Sequence, residues 1–297
     1  MAEDTPVRRA RWGQDRRLEF IDFRLQWEGS LNRADLMAFF SISTPQASLD
    51  IARYTALAPN NLVYDKSSRT YVAPPGFVAH YPTSSPSRYL LELLASAEGL
   101  IAPGESFVGW RPAFASVPTP GRTLDNTTLV TLLTAIRKRQ ALQVAYQSMT
   151  RPEPTERLLS PHALAHDGFR WHVRAYCHKR QEFRDFVIAR LMAIHDVSPS
   201  SVDPTLDHEW HNILTLVLAP NPALSPAHQR VVELDYGMRD GQVEFCCRQA
   251  LLFYTLKKLG FDRLEQPSPR IQHIVLKNEA ELRPYIDALH LIPEGAS

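Results

Sequence analysis

The segment FRWHVRAYC, residues 169–177, restricts the fold of this chain more than any other stretch. With the two-residue period of a β-strand, alternate side chains point to opposite faces. One face is apolar and carries Phe169, Trp171, Val173, Ala175 and Cys177. The other carries cations and hydrogen-bond donors without any acid, namely Arg170, His172, Arg174 and Tyr176. We expect the second face to bind an anion, because like charges in water would repel one another without gain. The alternative is an ordinary solvated strand face.

A second segment, FRDFVIARL, repeats this arrangement with Arg184 and Arg190 at the same strand parity. Upstream, Tyr146 and Ser148 end one predicted strand, Arg157 begins the next, and His162 follows Pro161. Hydroxyls donate single hydrogen bonds, guanidinium groups donate pairs, and a neutral imidazole still donates one, so the set is typical of phosphate recognition. The predicted ligand-binding residues are Tyr146, Ser148, Arg157, His162, His172, Arg174, Arg184 and Arg190.

The distribution of charge supports a cationic middle region. Over 297 residues the formal net charge is +1, but residues 125–200 hold eleven Lys and Arg against seven Asp and Glu. Residues 201–297 are acidic, with nine against thirteen. Three cysteines form no disulfide framework, and the sequence shows neither a secretory signal nor an apolar stretch long enough to cross a bilayer. We therefore expect a cytoplasmic protein without a membrane partner.

The first 75 residues predict a winged helix-turn-helix domain. Three helices, with Asn32 and Ser43 as N-caps of the second and third, precede a hairpin, LVYDKSSRTYV. In this order the third helix enters the major groove and the wing reaches the backbone. The predicted DNA-binding residues are Ser43, Thr44, Gln46, Ser48, Arg53 and Tyr54 on the helix and Lys66, Ser67, Ser68 and Arg69 on the wing. Asp50 would oppose phosphate unless it faces away, and a three-helix domain that binds protein is the alternative.

The rest of the chain predicts two further domains, and the whole a multidomain α+β protein. Residues 76–125 form a linker that contains one helix. Residues 126–200 predict a helix and short strands in a strongly bent sheet or barrel. Residues 205–297 alternate strand with helix and predict a small α/β domain with its helices on one side of the sheet.

Enzyme chemistry finds no support in the motifs. The chain lacks a CxxC spacing, a GxSxG elbow, and the glycine-rich loops GxxxxGK[ST] and GxGxxG. The cationic strands also lack the clustered carboxylates that a metal-dependent nuclease needs. We therefore predict no catalytic residue, no metal site and no cofactor.

The motifs of the middle region resemble a WYL domain. Trp171-His172-Val173 stands where that family carries Trp-Tyr-Leu, Tyr146-x-Ser148 and SPHAL precede it, and FRDFVIARL follows. The His-Val variant resembles the BrxR/CapW-like winged-helix repressors associated with bacterial anti-phage systems, over nearly the whole chain. The resemblance implies an Sm-like β-barrel, a homodimer formed through the C-terminal extension, and a nucleotide or nucleic-acid ligand on the barrel.

Two functional hypotheses follow. The first is a homodimeric transcriptional repressor of a phage-defence operon or of its own promoter. It binds an inverted-repeat operator as double-stranded DNA and responds to a nucleotide or oligonucleotide. In it, replacement of Arg174 or Arg190 removes the response and spares operator affinity. The second is a sensor that binds a nucleotide or single strand on its cationic barrel and acts on a partner.

Overall fold

The computed structural model describes residues 6–118, 120, 124–261 and 271–290. The chain consists of two compact units, Met1–Thr119 and Pro120–Ser297. Parts of the predicted winged domain (1–5), linker (119 and 121–123) and C-terminal domain (262–270 and 291–297) lie outside the described residues. No helix of the described ranges is long and apolar enough to cross a membrane.

The first unit begins as a winged helix-turn-helix. Its elements are α1 (Pro6–Glu28), β1 (Ser30–Leu31), α2 (Arg33–Phe40), α3 (Thr44–Leu57), β2 (Val63–Asp65) and β3 (Thr70–Val72), with sheet order β1-β3-β2. The two predicted caps are present. Asn32 and Asp35 form a reciprocal capping box at α2, and Ser43 accepts a hydrogen bond from the backbone N–H of Gln46 at α3. These local bonds set where α2 and α3 begin.

An aromatic cluster holds the helices of this unit together. The Phe20 ring lies 4.7 Å from Phe39, 5.4 Å from Phe40 and 5.2 Å from Phe107, measured between centroids. Such tilted and edge-on contacts add to the apolar burial. Helix α4 (Pro86–Ala97) follows the wing and buries Leu93 in the same core.

The second unit opens with a five-stranded antiparallel sheet. After α5 (Asn126–Lys138) come β4 (Gln140–Tyr146), β5 (Thr155–His166), β6 (Trp171–Cys177), β7 (Glu182–Val187) and β8 (Leu191–Pro199), in the order β7-β6-β5-β4-β8. Register shifts between β4 and β8 and at Pro161/Ala163 mark bulges, which bend strands. The edge strands β7 and β8 are not paired with each other, so the sheet is not a closed barrel. The mixed helix and sheet class is confirmed, and the Sm-like barrel stays a prediction.

A second, smaller sheet completes this unit. Its elements are α6 (His208–His211), β9 (Ile213–Pro220), α7 (Pro226–Asp235), β10 (Val243–Arg248), α8 (Leu252–Lys258), β11 (Ile274–Leu276) and α9 (Glu279–His290), with sheet order β10-β9-β11. Alternate side chains of β9 lie on opposite faces of the sheet. Leu214, Leu216 and Leu218 are buried against the helices, whereas Ile213 is 49% exposed on the other face.

Candidate nucleic-acid and ligand sites

Helix α3 presents fewer polar groups than its sequence suggests. The Ser43 hydroxyl caps the helix, and the Ser48 hydroxyl donates to the backbone carbonyl of Thr44 at 3.0 Å. The Gln46 side-chain amide donates to both carboxylate oxygens of Asp50, each at 3.1 Å. Arg53 keeps a side chain that is 42% exposed, with Nη1 3.9 Å from Asp50 Oδ1.

Asp50 points into the protein. It is fully buried, and the Arg17 guanidinium donates to its Oδ2 at 2.6 Å. A buried carboxylate needs such a partner because desolvation is costly. Asp50 therefore does not oppose phosphate at the surface of α3.

The Tyr54 side chain does not project from α3 as the sequence predicts, which corrects that expectation. The side chain is fully buried, and its hydroxyl donates to Asp22 Oδ1 at 2.5 Å. Burial and this carboxylate raise the pKa of Tyr54 well above its ordinary value. Tyr54 shares the inward stripe of α3 with Ala47 and Ile51, a spacing of four and then three residues that favours the core side of a helix.

The wing is organised by Asp65. This carboxylate accepts hydrogen bonds from the Ser67 backbone N–H at 2.8 Å, the Ser67 hydroxyl at 2.6 Å and the Ser68 hydroxyl at 2.7 Å. These bonds lower the pKa of Asp65 to about 2. The hydroxyls of Ser67 and Ser68 thus serve the turn, whereas Lys66 and Arg69 are exposed, the latter with a φ of 55°.

The cationic face of β6 is buried and neutralised, which corrects the prediction for three residues. Arg174 is 3% exposed, with Nε 2.8 Å and Nη2 2.9 Å from the carboxylate of Asp207. Nη2 also donates to Glu209 at 2.8 Å, and Nη1 lies 3.4 Å from Asp185. Burial alone would lower the pKa of Arg174, but its hydrogen bonds to these acids raise it above the ordinary value.

Both histidines of this face are also paired with acids. His162 Nε2 lies 2.9 Å from Asp207, and His172 Nε2 lies 2.9 Å from Asp167. Burial would raise the pKa of Asp207, yet the bonds from Arg174 and His162 lower it overall. The predicted ligand residues His162, His172 and Arg174 therefore form an internal polar network that we call the acid-paired network.

Strand register places the other candidates on the opposite face of the sheet. Arg157 pairs with Val144 and Arg184 pairs with Ala175, and residues directly paired across strands share a face. Val144 and Ala175 belong to the core cluster of the sheet, whereas Arg174 pairs with Asp185 on the other side. The single predicted site is thus divided in two by the sheet.

Two of the remaining candidates are largely enclosed. Tyr146 is 2% exposed, and its hydroxyl accepts a hydrogen bond from the Val187 backbone N–H at 3.3 Å. Ser148 is 9% exposed, with its hydroxyl 3.2 Å from that of Thr150. The hydroxyls of Tyr146 and Ser148 therefore both have hydrogen-bond partners within the protein.

The three arginines of the predicted set that remain differ in their surroundings. Arg157 has a buried Nε without a hydrogen-bond partner among the described residues, while its Nη1 lies 3.8 Å from the Cys177 sulfur. Arg184 donates to Glu182 at 2.9 Å. Arg190 lies in a short 3-10 turn, Ile188–Arg190, which breaks the predicted continuous strand, so strand parity does not apply to it.

The sequence interpretation missed the acids that pair with the cations. Asp167, Asp185, Asp207 and Glu209 come from a turn, a neighbouring strand and the segment before β9. One signal was available, because Asp185 lies inside the FRDFVIARL segment itself. In the described ranges no group of three or more His, Cys, Asp or Glu is placed to hold a metal ion.

Three protein-family models match the chain in the order of its domains. The BrxR transcriptional regulator winged helix-turn-helix domain matches residues 13–95, the WYL domain residues 127–195, and the BrxR transcriptional regulator C-terminal dimerization domain residues 213–282. Together they define a WYL-domain protein of the BrxR type.

Individual relatives extend this similarity over almost the full chain. Proteins described as the DNA-binding transcriptional repressor CapW are 50% identical in Stenotrophomonas maltophilia, over 96% of both chains, and 46% identical in Pseudomonas aeruginosa, over 93% of both. The Escherichia coli protein of that description is 45% identical over 92% of both. The chain belongs to the BrxR/CapW family, and the resemblance predicted from its motifs is confirmed.

Proposed function

We propose that this protein is a homodimeric, DNA-binding transcriptional repressor. One observation carries the proposal, namely 45–50% identity over more than nine tenths of the chain to repressors described as DNA-binding. The winged helix-turn-helix supports it, since α3 begins at an exposed capped turn and the wing exposes Lys66 and Arg69.

The dimer sets the form of the operator. The region that matches the dimerization domain lies in the second unit, and a two-fold axis pairs two identical winged domains. Two recognition helices related by that axis read an inverted repeat with a fixed half-site spacing. Following the anti-phage association of the family, we propose that the operator controls a phage-defence operon in the cytoplasm.

The wing makes this proposal quantitative. Each phosphate neutralised by Lys or Arg contributes about −0.9 to the slope of log affinity against log salt. The double variant Lys66→Ala, Arg69→Asn removes four such charges per dimer, so we expect the slope to fall in magnitude by about 3 to 4. Asn is chosen at position 69 because it tolerates the left-handed backbone found there. Gel shifts on the duplex upstream of the gene, at salt concentrations between about 50 and 200 mM, measure this slope of log affinity against log salt.

The control removes the same charge elsewhere. Arg230→Ala with Arg283→Ala takes two exposed cations from the second unit and should leave the slope unchanged. A random single strand of equal length serves in parallel. Equal or tighter binding of that single strand would contradict the repressor and favour a single-strand sensor.

We further propose that the sheet face of Arg157 and Arg184 binds an anionic nucleotide or oligonucleotide, with Tyr146, Ser148 and Arg190 near it. The support is twofold: the buried Nε of Arg157 has no hydrogen-bond partner in the part of the chain that the structure describes, and the register places both arginines on one face. An unmatched buried donor is costly, and a phosphate oxygen would satisfy it.

Thermal denaturation with a panel of mononucleotides, cyclic nucleotides and short single strands tests this site. At a concentration a hundredfold above Kd, a ligand stabilises by about 2.7 kcal/mol, which raises Tm by roughly 5–10 °C. Arg184→Ala should remove that rise in Tm. Arg180 is exposed in the turn between β6 and β7, and Arg180→Ala should keep the rise. An unchanged Tm with every compound would refute the nucleotide site and leave the operator results standing.

A further inference from the structure

The donors on the first two turns of α3 are mostly engaged within the protein. The Gln46 amide is held by Asp50 and the Ser48 hydroxyl donates to Thr44, while the Thr44 hydroxyl lies 3.4 Å from the Met37 sulfur. Guanine offers two acceptors in the major groove and adenine one, so each needs a donor from the protein. The start of this helix is therefore poorly equipped to read purine edges.

Small apolar groups take the outward positions instead. Leu49 is 46% exposed, and Pro45 and Ala52 are exposed beside it. The spacing of four and three residues places Pro45, Leu49 and Ala52 in one stripe. Leu49 is the sixth residue of α3, within the N-terminal part of a recognition helix that reaches base edges.

The only apolar group that a base pair shows in the major groove is the 5-methyl of thymine, and small aliphatic side chains contact it. Combining this chemistry with the exposed stripe, we infer that Leu49, supported by Ala52, reads thymine methyl groups in each operator half-site. The inference rests on the proposed function, and its occupant is the major groove of duplex DNA. The wing cations Lys66 and Arg69 lie on the neighbouring hairpin and suit the backbone phosphates of the same duplex.

Deoxyuridine provides the test, because it removes the methyl and preserves base pairing. The operator is first located by footprinting on the upstream duplex, and every thymine of both half-sites is then replaced by deoxyuridine. Each lost methyl contact is worth about 0.8 kcal/mol, or roughly fourfold in affinity. For one contact in each of two half-sites, we expect wild-type protein to bind the substituted duplex roughly fifteenfold more weakly.

The ratio of the affinities for the thymine duplex and the deoxyuridine duplex separates the contribution of Leu49 from general effects on binding. Leu49→Ala should bring that ratio close to one, while it preserves the helix because alanine is the better helix former. Leu57→Ala is the matched control, since Leu57 is 49% exposed on the same helix but about 12 Å farther along its axis. This variant should keep the wild-type ratio, and circular dichroism checks that both remain folded.

Three results would overturn the inference. Equal affinity of wild-type protein for both duplexes would mean that no methyl is read. If Leu49→Ala kept the wild-type ratio of affinities, a residue other than Leu49 would contact the thymine methyl groups. If no duplex binds at all, the proposed function fails and this inference fails with it, whereas equal binding of both duplexes leaves the repressor intact.

Discussion

Replacing Arg174 with alanine should lower the free energy of unfolding of the second unit by about 3–5 kcal/mol. The change leaves Asp207 and Asp185 buried without their cation, and a buried, uncompensated charge is strongly destabilising. Burial already raises the pKa of Asp185, so the neighbouring Arg174 is its main source of compensation. Urea denaturation followed by Trp fluorescence measures the loss, and Trp210, whose backbone N–H donates to Asp207, is a local probe.

Two variants calibrate this result. Arg230→Ala removes an exposed ion pair with Glu233 in the same unit, and such a pair contributes about 0–1 kcal/mol. Arg174→Lys keeps the charge but loses the paired donation to Asp207, so its stability should lie between those of wild type and the alanine variant. If Arg174→Ala unfolded within 1 kcal/mol of wild type, the acid-paired network would not be structural. The cationic face would then again be a candidate ligand site.

This expectation reverses the one drawn from the sequence, where Arg174 was expected to serve only the response to a ligand. The alternation of FRWHVRAYC is confirmed for Val173, Ala175 and Cys177, which share the buried face. It is wrong for Phe169 and Trp171, which are 71% and 47% exposed where the strand begins. What lies against the other face was not predictable from that strand. Asp207 and Glu209 are more than thirty residues away in the sequence. A local period carries no information about such partners.

Register explains why one predicted site became two. Within a strand, parity follows from the sequence, but the relation between strands depends on turn lengths and bulges. The bulge at Pro161/Ala163 changes the pairing of β5 with β6, and the turn at Ile188–Arg190 ends β7. Neither irregularity has a periodic signature. Arg174 and Arg184 lie on opposite faces because the β6–β7 hairpin pairs Arg174 with Asp185 and Ala175 with Arg184, a register that the period of either strand alone does not reveal.

In the N-terminal domain, by contrast, much of the local structure was predictable from the sequence. Caps and turns depend on neighbours in the chain, so Asn32 and Ser43 were predictable. Tyr54 was misassigned although its helical spacing from Ala47 and Ile51 pointed inward. A polar hydroxyl favours an exposed position in the sequence pattern, whereas its partner in the structure is a carboxylate on another helix. The deciding residue is Asp22, whose importance is visible only after folding.

Asp22→Ala should therefore have the largest effect in the first unit, a loss of about 4 kcal/mol in its free energy of unfolding. The fully buried carboxylate accepts hydrogen bonds from the Tyr54 hydroxyl at 2.5 Å, the His80 N–H at 2.9 Å, the Tyr81 N–H at 3.0 Å and the Ser84 hydroxyl at 2.8 Å. Its removal leaves four donors without that acceptor, and each unsatisfied donor costs about 1–3 kcal/mol before the structure relaxes.

Operator binding should fall with the folded fraction of this unit, because Asp22 anchors α3 from behind through Tyr54. Tyr54→Phe is the graded control, since it removes one donor and leaves the carboxylate with three, at a cost of about 1 kcal/mol. Denaturation and gel shifts on the same samples separate stability from contact with DNA. If Tyr54→Phe weakened operator binding in fully folded protein as much as Asp22→Ala does, the hydroxyl would be a DNA contact after all. A proportional loss in both measurements identifies Asp22 as the residue that holds the recognition helix in place.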